Sequence, residues 1–280
     1  MLKHLPSVSA LATIAVLAAP GPAPAAPVDV VYGHTPEADA ATAPGANGSI
    51  VFAKELDDGF QLFSVGADGS GERRLTHVAG DAVHPDWSPD GTRIVFEFDH
   101  KRGKPSLCSL ALINGDGSGL TDLGAATSST CDNQPSFTPD GKRIVYVRYD
   151  DATHVEQLWT AEAGGGDRQM IDLPWRVGVT DPNASPDGKW ITFVRVKKEE
   201  QLQALFRIRP DGTGLRRLTP FRWEVAVKHD WSPDSKLIAL TTNADFVRPH
   251  RSANLITIRP TGRVATRVTR FHGGKHNAFA

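Results

Sequence analysis

The sequence predicts an all-β chain, a β-propeller of four-stranded blades, with about five blades present in its 280 residues. Three observations carry that prediction. A turn unit, Trp87-Ser88-Pro89-Asp90-Gly91, stands before the apolar run Ile94-Val95-Phe96. It recurs as Phe137-Thr138-Pro139-Asp140-Gly141, Ala184-Ser185-Pro186-Asp187-Gly188 and Trp231-Ser232-Pro233-Asp234-Ser235, at spacings of 50, 47 and 47 residues, and a period of that size marks a repeat architecture. Within one period lie four short strand signals separated by Gly/Asp/Pro turns, which is the content of one propeller blade.

Taken in order, the chain opens with an address. Residues 1–25 hold Lys3 and His4, an apolar run ending near Pro20, and the small-residue triplet Ala23-Pro24-Ala25. These are the parts of a secretory signal peptide, so the mature chain is expected to be secreted or periplasmic. No later run approaches the roughly 18 apolar residues of a membrane span, so none is expected after signal removal. Residues 26–48, rich in Ala, Pro, Gly and Asp without periodicity, read as a linker.

The propeller region runs from residue 49 to 280. Ser49-Ile50-Val51-Phe52 is its first strand signal, followed by Gln61-Leu62-Phe63-Ser64-Val65, the turn Ala67-Asp68-Gly69-Ser70-Gly71 and the short run Arg73-Arg74-Leu75-Thr76. Nearly the same string returns as Leu205-Phe206-Arg207-Ile208, Pro210-Asp211-Gly212-Thr213-Gly214 and Arg216-Arg217-Leu218-Thr219. In the turn unit, Pro pre-sets the first corner of a type I turn, Asp suits the second, and Gly takes the left-handed position that follows. Ser235 replaces that Gly, which predicts a strained or different turn. Trp87, Phe137 and Trp231 should end inward strands and pack between sheets, whereas Ala184 should leave its layer less filled.

Composition narrows the partners. With 31 Lys and Arg against 32 Asp and Glu and a pI near 6.8, no electrostatic footprint for nucleic acid is visible. The two cysteines, Cys108 and Cys131, either form one disulfide, closing a loop of about 24 residues at roughly 3 kcal/mol, or stand as buried thiols on separate strands.

The string Trp-Ser-Pro-Asp-Gly, two residues, Ile-Val-Phe, then an aliphatic strand, Asp-Gly-x-Gly and Arg-x-Leu-Thr resembles the WD40-like Pro-Asp repeat of the TolB family. The resemblance covers about residues 49–280 and implies a propeller in the bacterial envelope that binds other proteins. It also has a limit, because TolB carries an α/β domain before its propeller and only about two dozen residues precede the first blade signal here. At the other end, Phe279 falls 48 residues after Trp231, where another turn unit is due. Either the last strand pairs with Ile50-Val51-Phe52 and closes a five-bladed ring, or five blades are part of a six-bladed one; the second is preferred because TolB-like propellers usually have six.

The residues three positions before each turn-unit aromatic, His84, Gln134, Asp181, Lys228 and His276, should ring one mouth of the central channel, with His229, Asp81 and Asn133 beside them. Such a ring suits a small polar ligand or a partner's peptide, or it is a solvated channel lining. Trp175, Trp223 and Phe271, with Phe221, stand on the crossings between blades, as rim anchors for a partner or as plugs between sheets. No nucleophile elbow, zinc helix or phosphate loop occurs, and no metal or cofactor is expected. The expected role is a non-catalytic binding or scaffolding module in the envelope, with a protein or a cell-wall polymer as partner. The alternative is the propeller of a prolyl-oligopeptidase-like serine peptidase whose hydrolase domain lies beyond residue 280.

Overall fold

The computed structural model describes residues 48–100, 107–124, 129–197, 202–225, 228–242 and 254–269. The expected signal peptide, nearly all of the expected linker, and Phe271, His276 and Phe279 lie outside the described residues. Five antiparallel sheets follow one another along the chain. The first holds β1 (Ser49–Leu56), β2 (Gly59–Gly66) and β3 (Arg73–Arg74); the second β4 (Asp81–Trp87), β5 (Arg93–Asp99), β6 (Cys108–Asn114) and β7 (Thr121–Asp122). The third holds β8 (Thr130–Phe137), β9 (Arg143–Asp150), β10 (Val155–Glu162) and β11 (Gln169–Ile171), and the fourth β12 (Val179–Ala184), β13 (Ile191–Lys197), β14 (Leu202–Ile208) and β15 (Arg216–Arg217). β16 (His229–Trp231), β17 (Ile238–Thr242), β18 (Asn254–Ile258) and β19 (Val264–Arg267) complete the fifth.

The opening strands β4, β8, β12 and β16 touch in succession, so they are the inner strands around a common axis. Among the described residues the first sheet has three strands, and β1 occupies the place of β5 in the repeat.

Alternation of side chains along each strand builds the core. Each sheet sends one face to the sheet before it and the other to the sheet after. Val51, Ala53 and Leu62 meet Trp87, Ile94 and Phe96 in the first seam, and Val95, Leu110 and Leu112 meet Phe137, Ile144 and Tyr146 in the second. Val145, Val147 and Leu158 meet Ile191, Phe193 and Phe206 in the third; Val194 and Leu205 meet Trp231, Ile238 and Leu240 in the fourth. At about 25 cal/mol per Å² of apolar surface, these seams dominate the favourable side of folding. Trp87, Phe137 and Trp231 thus pack between sheets, whereas Ala184 is only half-buried and Phe221 and Trp175 lean into the same seam.

The four turn units adopt one geometry. The fifth residue donates its N–H to the second residue's carbonyl at 2.8 Å in the first three copies and 2.9 Å in the Ser235 copy. Each Asp folds back as an acceptor: Asp90 Oδ1 takes the Ser88 hydroxyl at 2.6 Å and the Thr92 N–H at 3.0 Å, and Asp140, Asp187 and Asp234 repeat the pattern. Gly91, Gly141 and Gly188 sit at φ 67 to 69°, and Ser235 at φ 56°, so the Ser copy keeps the turn and carries left-handed strain instead of changing type. The turns also meet around the ring. A Cβ on Gly141 would touch Pro89 at 3.5 Å and one on Gly188 would touch Pro139 at 3.5 Å, while Ser235 Oγ accepts the Asp187 N–H at 2.9 Å.

Outer seams are fixed differently. The Gly-rich hairpin turn of each sheet seats on the outer strand region of the sheet before it, Gly117 against Leu75, Gly165 against Leu123, and Gly262 against Leu218. Arg73 donates to the Gly115 and Asp116 carbonyls of the next sheet's turn at 2.9 and 3.0 Å. Buried Asp132 is clamped by Arg148 on both oxygens at 2.6 and 2.8 Å and by Arg168 at 2.6 Å, and Arg168 continues to the Gly124 carbonyl at 2.8 Å. Cys108 and Cys131 form a disulfide from the first residue of β6 to β8, a covalent tie between the second and third sheets.

Candidate functional site

The inner strands are not regular. β4, β8 and β12 each break register between Val83 and Asp86, Asn133 and Ser136, and Thr180 and Asn183. In each break stands a residue followed by proline: His84-Pro85, Gln134-Pro135 and Asp181-Pro182. Proline cannot donate to the ladder, so the strand bulges there, and the residue before it swings to φ 50, 50 and 52°. A left-handed residue in an inner strand aims its side chain away from the pleat. The consequence is convergence: His84, Gln134, Asp181, Lys228, His229 and Asp230 line one cavity of about 70 Å³, room for a handful of waters or one small polar group. Asp81 and Asn133 are not among its lining residues; Asp81 Oδ1 accepts the Phe60 N–H at 2.8 Å instead.

Around this cavity the side chains form a relay from sheet to sheet. Glu97 Oε2, on β5, takes His84 Nδ1 at 2.7 Å and the Gln134 N–H at 3.3 Å. Gln134 Oε1 accepts the Asp181 N–H at 2.8 Å and the Thr180 hydroxyl at 2.6 Å. Asp181 accepts Lys228 Nζ at 2.5 Å and the His229 N–H at 3.3 Å. Each link joins an acceptor of one sheet to an N–H of the next sheet's inner strand, and Asp86 does the same one layer deeper, taking the Phe137 N–H at 2.7 Å. Burial by itself would raise the Asp181 carboxyl, but the Lys228 ammonium and the His229 contacts outweigh it and hold the group well below the usual carboxylate range.

One arrangement at the mouth has the order of a catalytic triad. Asp181 Oδ2 lies 3.1 Å from His229 Nδ1, and His229 Nε2 lies 2.8 Å from Thr192 Oγ1. Three facts disarm it. His229 and Thr192 have 3 and 0 % of their surface exposed, Trp231 Nε1 also donates to the Thr192 hydroxyl at 2.9 Å, and that hydroxyl donates to the Asn183 carbonyl at 3.2 Å. A hydroxyl that is sealed and fully bonded cannot meet a substrate, so the trio ties β12, β13 and β16 together.

The crossing aromatics fill gaps. Trp175 is half-buried, 5.3 Å from the Phe206 ring and 6.5 Å from Phe193, and Trp223 packs against the seam of the fourth and fifth sheets. Of the residues that sequence reasoning named, His84, Gln134, Asp181, Lys228 and His229 line this cavity; the bulge and Glu97 were missed. The three X-Pro dipeptides at matching positions were the available signal, since a proline inside a strand pattern implies a bulge; nothing marked Glu97, which lies on a different strand.

No family model matches the chain. Among curated relatives it is 31% identical over 102 residues to an uncharacterized protein of Agrobacterium fabrum, across 36% of this chain and 33% of that one. It is 33% identical over 100 residues to the Tol-Pal system protein TolB of Roseobacter denitrificans, across 34% of this chain and 21% of TolB. The aligned stretch thus spans a third or less of these relatives. Its fold is similar to that of a TolB-like protein of Agrobacterium tumefaciens, with TM-score 0.65 and 17% identity over 88% of this chain and 82% of the other. The chain is a β-propeller, and its fold is similar to that of TolB proteins.

Proposed function

We propose that this chain is an exported, non-catalytic binding module of the cell envelope, which holds an envelope protein or a cell-wall polymer at the mouth ringed by His84, Gln134, Asp181, Lys228 and His229. The observation that carries the reading is the mouth itself. Three consecutive bulges spend strand regularity to converge unlike polar residues on one cavity, and the only acid, imidazole and hydroxyl trio found there among the described residues is sealed. The signal-like residues 1–25 support export, and the likeness to TolB, named for the Tol-Pal system, supports an envelope setting. No helix among the described residues is long and apolar enough to cross a membrane.

The test is site-specific photo-crosslinking in the native envelope. A photoreactive residue at Asn133, beside the mouth, should yield one discrete partner adduct, and the same residue at Thr92 on the turn face should not. Equal adducts from both faces, or a chain found only in the cytoplasmic fraction, would refute the proposal. A native protein larger than the 30.2 kDa of this sequence by about 25 kDa or more, the size of a further domain, would instead favour the peptidase alternative.

A further inference from the structure

The near-neutral total charge conceals a segregation around the ring. Residues 48–124 carry seven Lys and Arg against twelve Asp and Glu, whereas residues 202–269 carry twelve against five. The basic side concentrates on the outer strands of the fourth sheet, where it faces the fifth. Arg207 on β14 and Arg216 on β15 are direct cross-strand neighbours, an unfavourable like-charge pair when nothing lies between them. Arg207 Cζ stacks 3.8 Å from the centre of the Trp190 ring, and Arg209 Cζ lies 5.0 Å from the same ring.

The indole holds the Arg207 guanidinium flat, and the hairpin of the fifth sheet fixes one edge of it, since Nη1 donates to the Pro260 carbonyl at 2.8 Å. The other edge is unsatisfied: Arg207 Nε is buried with no acceptor among the described residues. Asp211, which feels the charge of Arg209, is already used by its own turn, accepting the Thr213 N–H at 2.9 Å and hydroxyl at 2.7 Å. Burial, then Arg216 and Arg209, push the Arg207 guanidinium down.

We propose that the outer edge of the seam between the fourth and fifth sheets is an anion site that takes a phosphate group through Arg207, Arg209 and Arg216. Planar guanidinium edges match oxyanion geometry with paired N–H donors, and a pre-stacked guanidinium loses little freedom on binding. The basic side of the ring would steer the anion there, and the acidic side would repel it. The site is separate from the mouth and does not depend on its reading. The phosphate can come from a soluble phosphate ester or from an anionic lipid headgroup.

The experiment titrates inorganic phosphate into the mature chain at low ionic strength, with chloride as the matched control, and follows the Trp190 indole N–H and the Arg207 Nε–H by NMR. Saturable shifts of both are expected, with a dissociation constant near or below about 1 mM, and R209Q/R216Q should weaken binding about tenfold. Both of those arginines are exposed, so the melting temperature of the variant should not move. Co-sedimentation with phosphatidylglycerol vesicles but not phosphatidylcholine vesicles, lost in the same variant, assigns the headgroup as source; phosphate binding without sedimentation assigns soluble esters. No saturable shift and no sedimentation, or binding that R209Q/R216Q leaves intact, overturns the proposal.

Discussion

The two ends of the inner strands follow opposite rules. At one end the turn units repeat almost letter for letter and adopt one geometry in four copies. At the other, His84, Gln134, Asp181 and Lys228 occupy the same register with four different side chains. Repetition at the turn end marks what the blades share, a tight return in all four copies and an aromatic wedge in three of them. Variation at the mouth end marks what the ring as a whole does once, and the difference teaches where in a repeat protein to look for chemistry.

The largest effect should come from the wedge. Trp87→Ala removes a side chain 4 % exposed from the first seam and should cost about 3–5 kcal/mol, read as the shift in a denaturant melt. At the mouth, Asp181→Ala leaves Lys228 and His229 without their shared acceptor in a buried setting and should cost about 3 kcal/mol. If the mouth change were silent while the wedge change unfolds the chain, the relay would have no structural part and the two ends would differ more than described.

Titration sharpens the contrast further. Asp99, at the mouth end of β5, is pushed up to about 8 by burial first, then by Glu97 and Asp81, and among the described residues its Oδ1 has no hydrogen-bond partner. Its folded pKa is raised, so its contribution to stability is full below about pH 4 and is lost as pH rises toward 8. Asp181 runs the other way: its depressed carboxyl contributes above about pH 4 and loses that contribution as pH falls below it. Melting temperature should therefore decline from pH 5 to 8.5, and Asp99→Asn should flatten the decline. A decline of the same slope in that variant would remove Asp99 as its cause.

The smallest effects lie in the turns. Gly141→Ala has room beside Pro89 but must hold φ 67°, at a cost of about 1 kcal/mol. Ser235→Gly relieves the strain at φ 56° and loses the bond from Asp187, so it should change stability by less than about 0.5 kcal/mol, whereas Ser235→Ala keeps the strain, loses the bond and should cost about 0.5–1 kcal/mol. Thermal melts of the three variants would order them.

The same contrast explains what could be read from the residues alone. Turn units and strands were legible because Pro, Asp and Gly constrain the backbone locally, and the mouth register followed by counting back from the aromatic. The relay was not legible: that Glu97 meets Gln134, or that Arg168 reaches Asp132 and Gly124, depends on how neighbouring sheets face one another. The seating of Gly117 on Leu75 is equally non-local. The charge segregation could have been counted by region, but its focus on Trp190 required β14 and β15 to be paired.

The most direct test of the division between the two ends measures stability and partner crosslinking on the same protein, comparing His84→Gln at the mouth with Asp90→Asn in a turn. The account predicts that His84→Gln leaves the melting temperature within a few degrees, about 1 kcal/mol for a chain of this size, and abolishes the adduct formed from Asn133. Asp90→Asn should lower the melting temperature and leave the adduct per folded molecule unchanged. An undiminished adduct from His84→Gln would contradict the account.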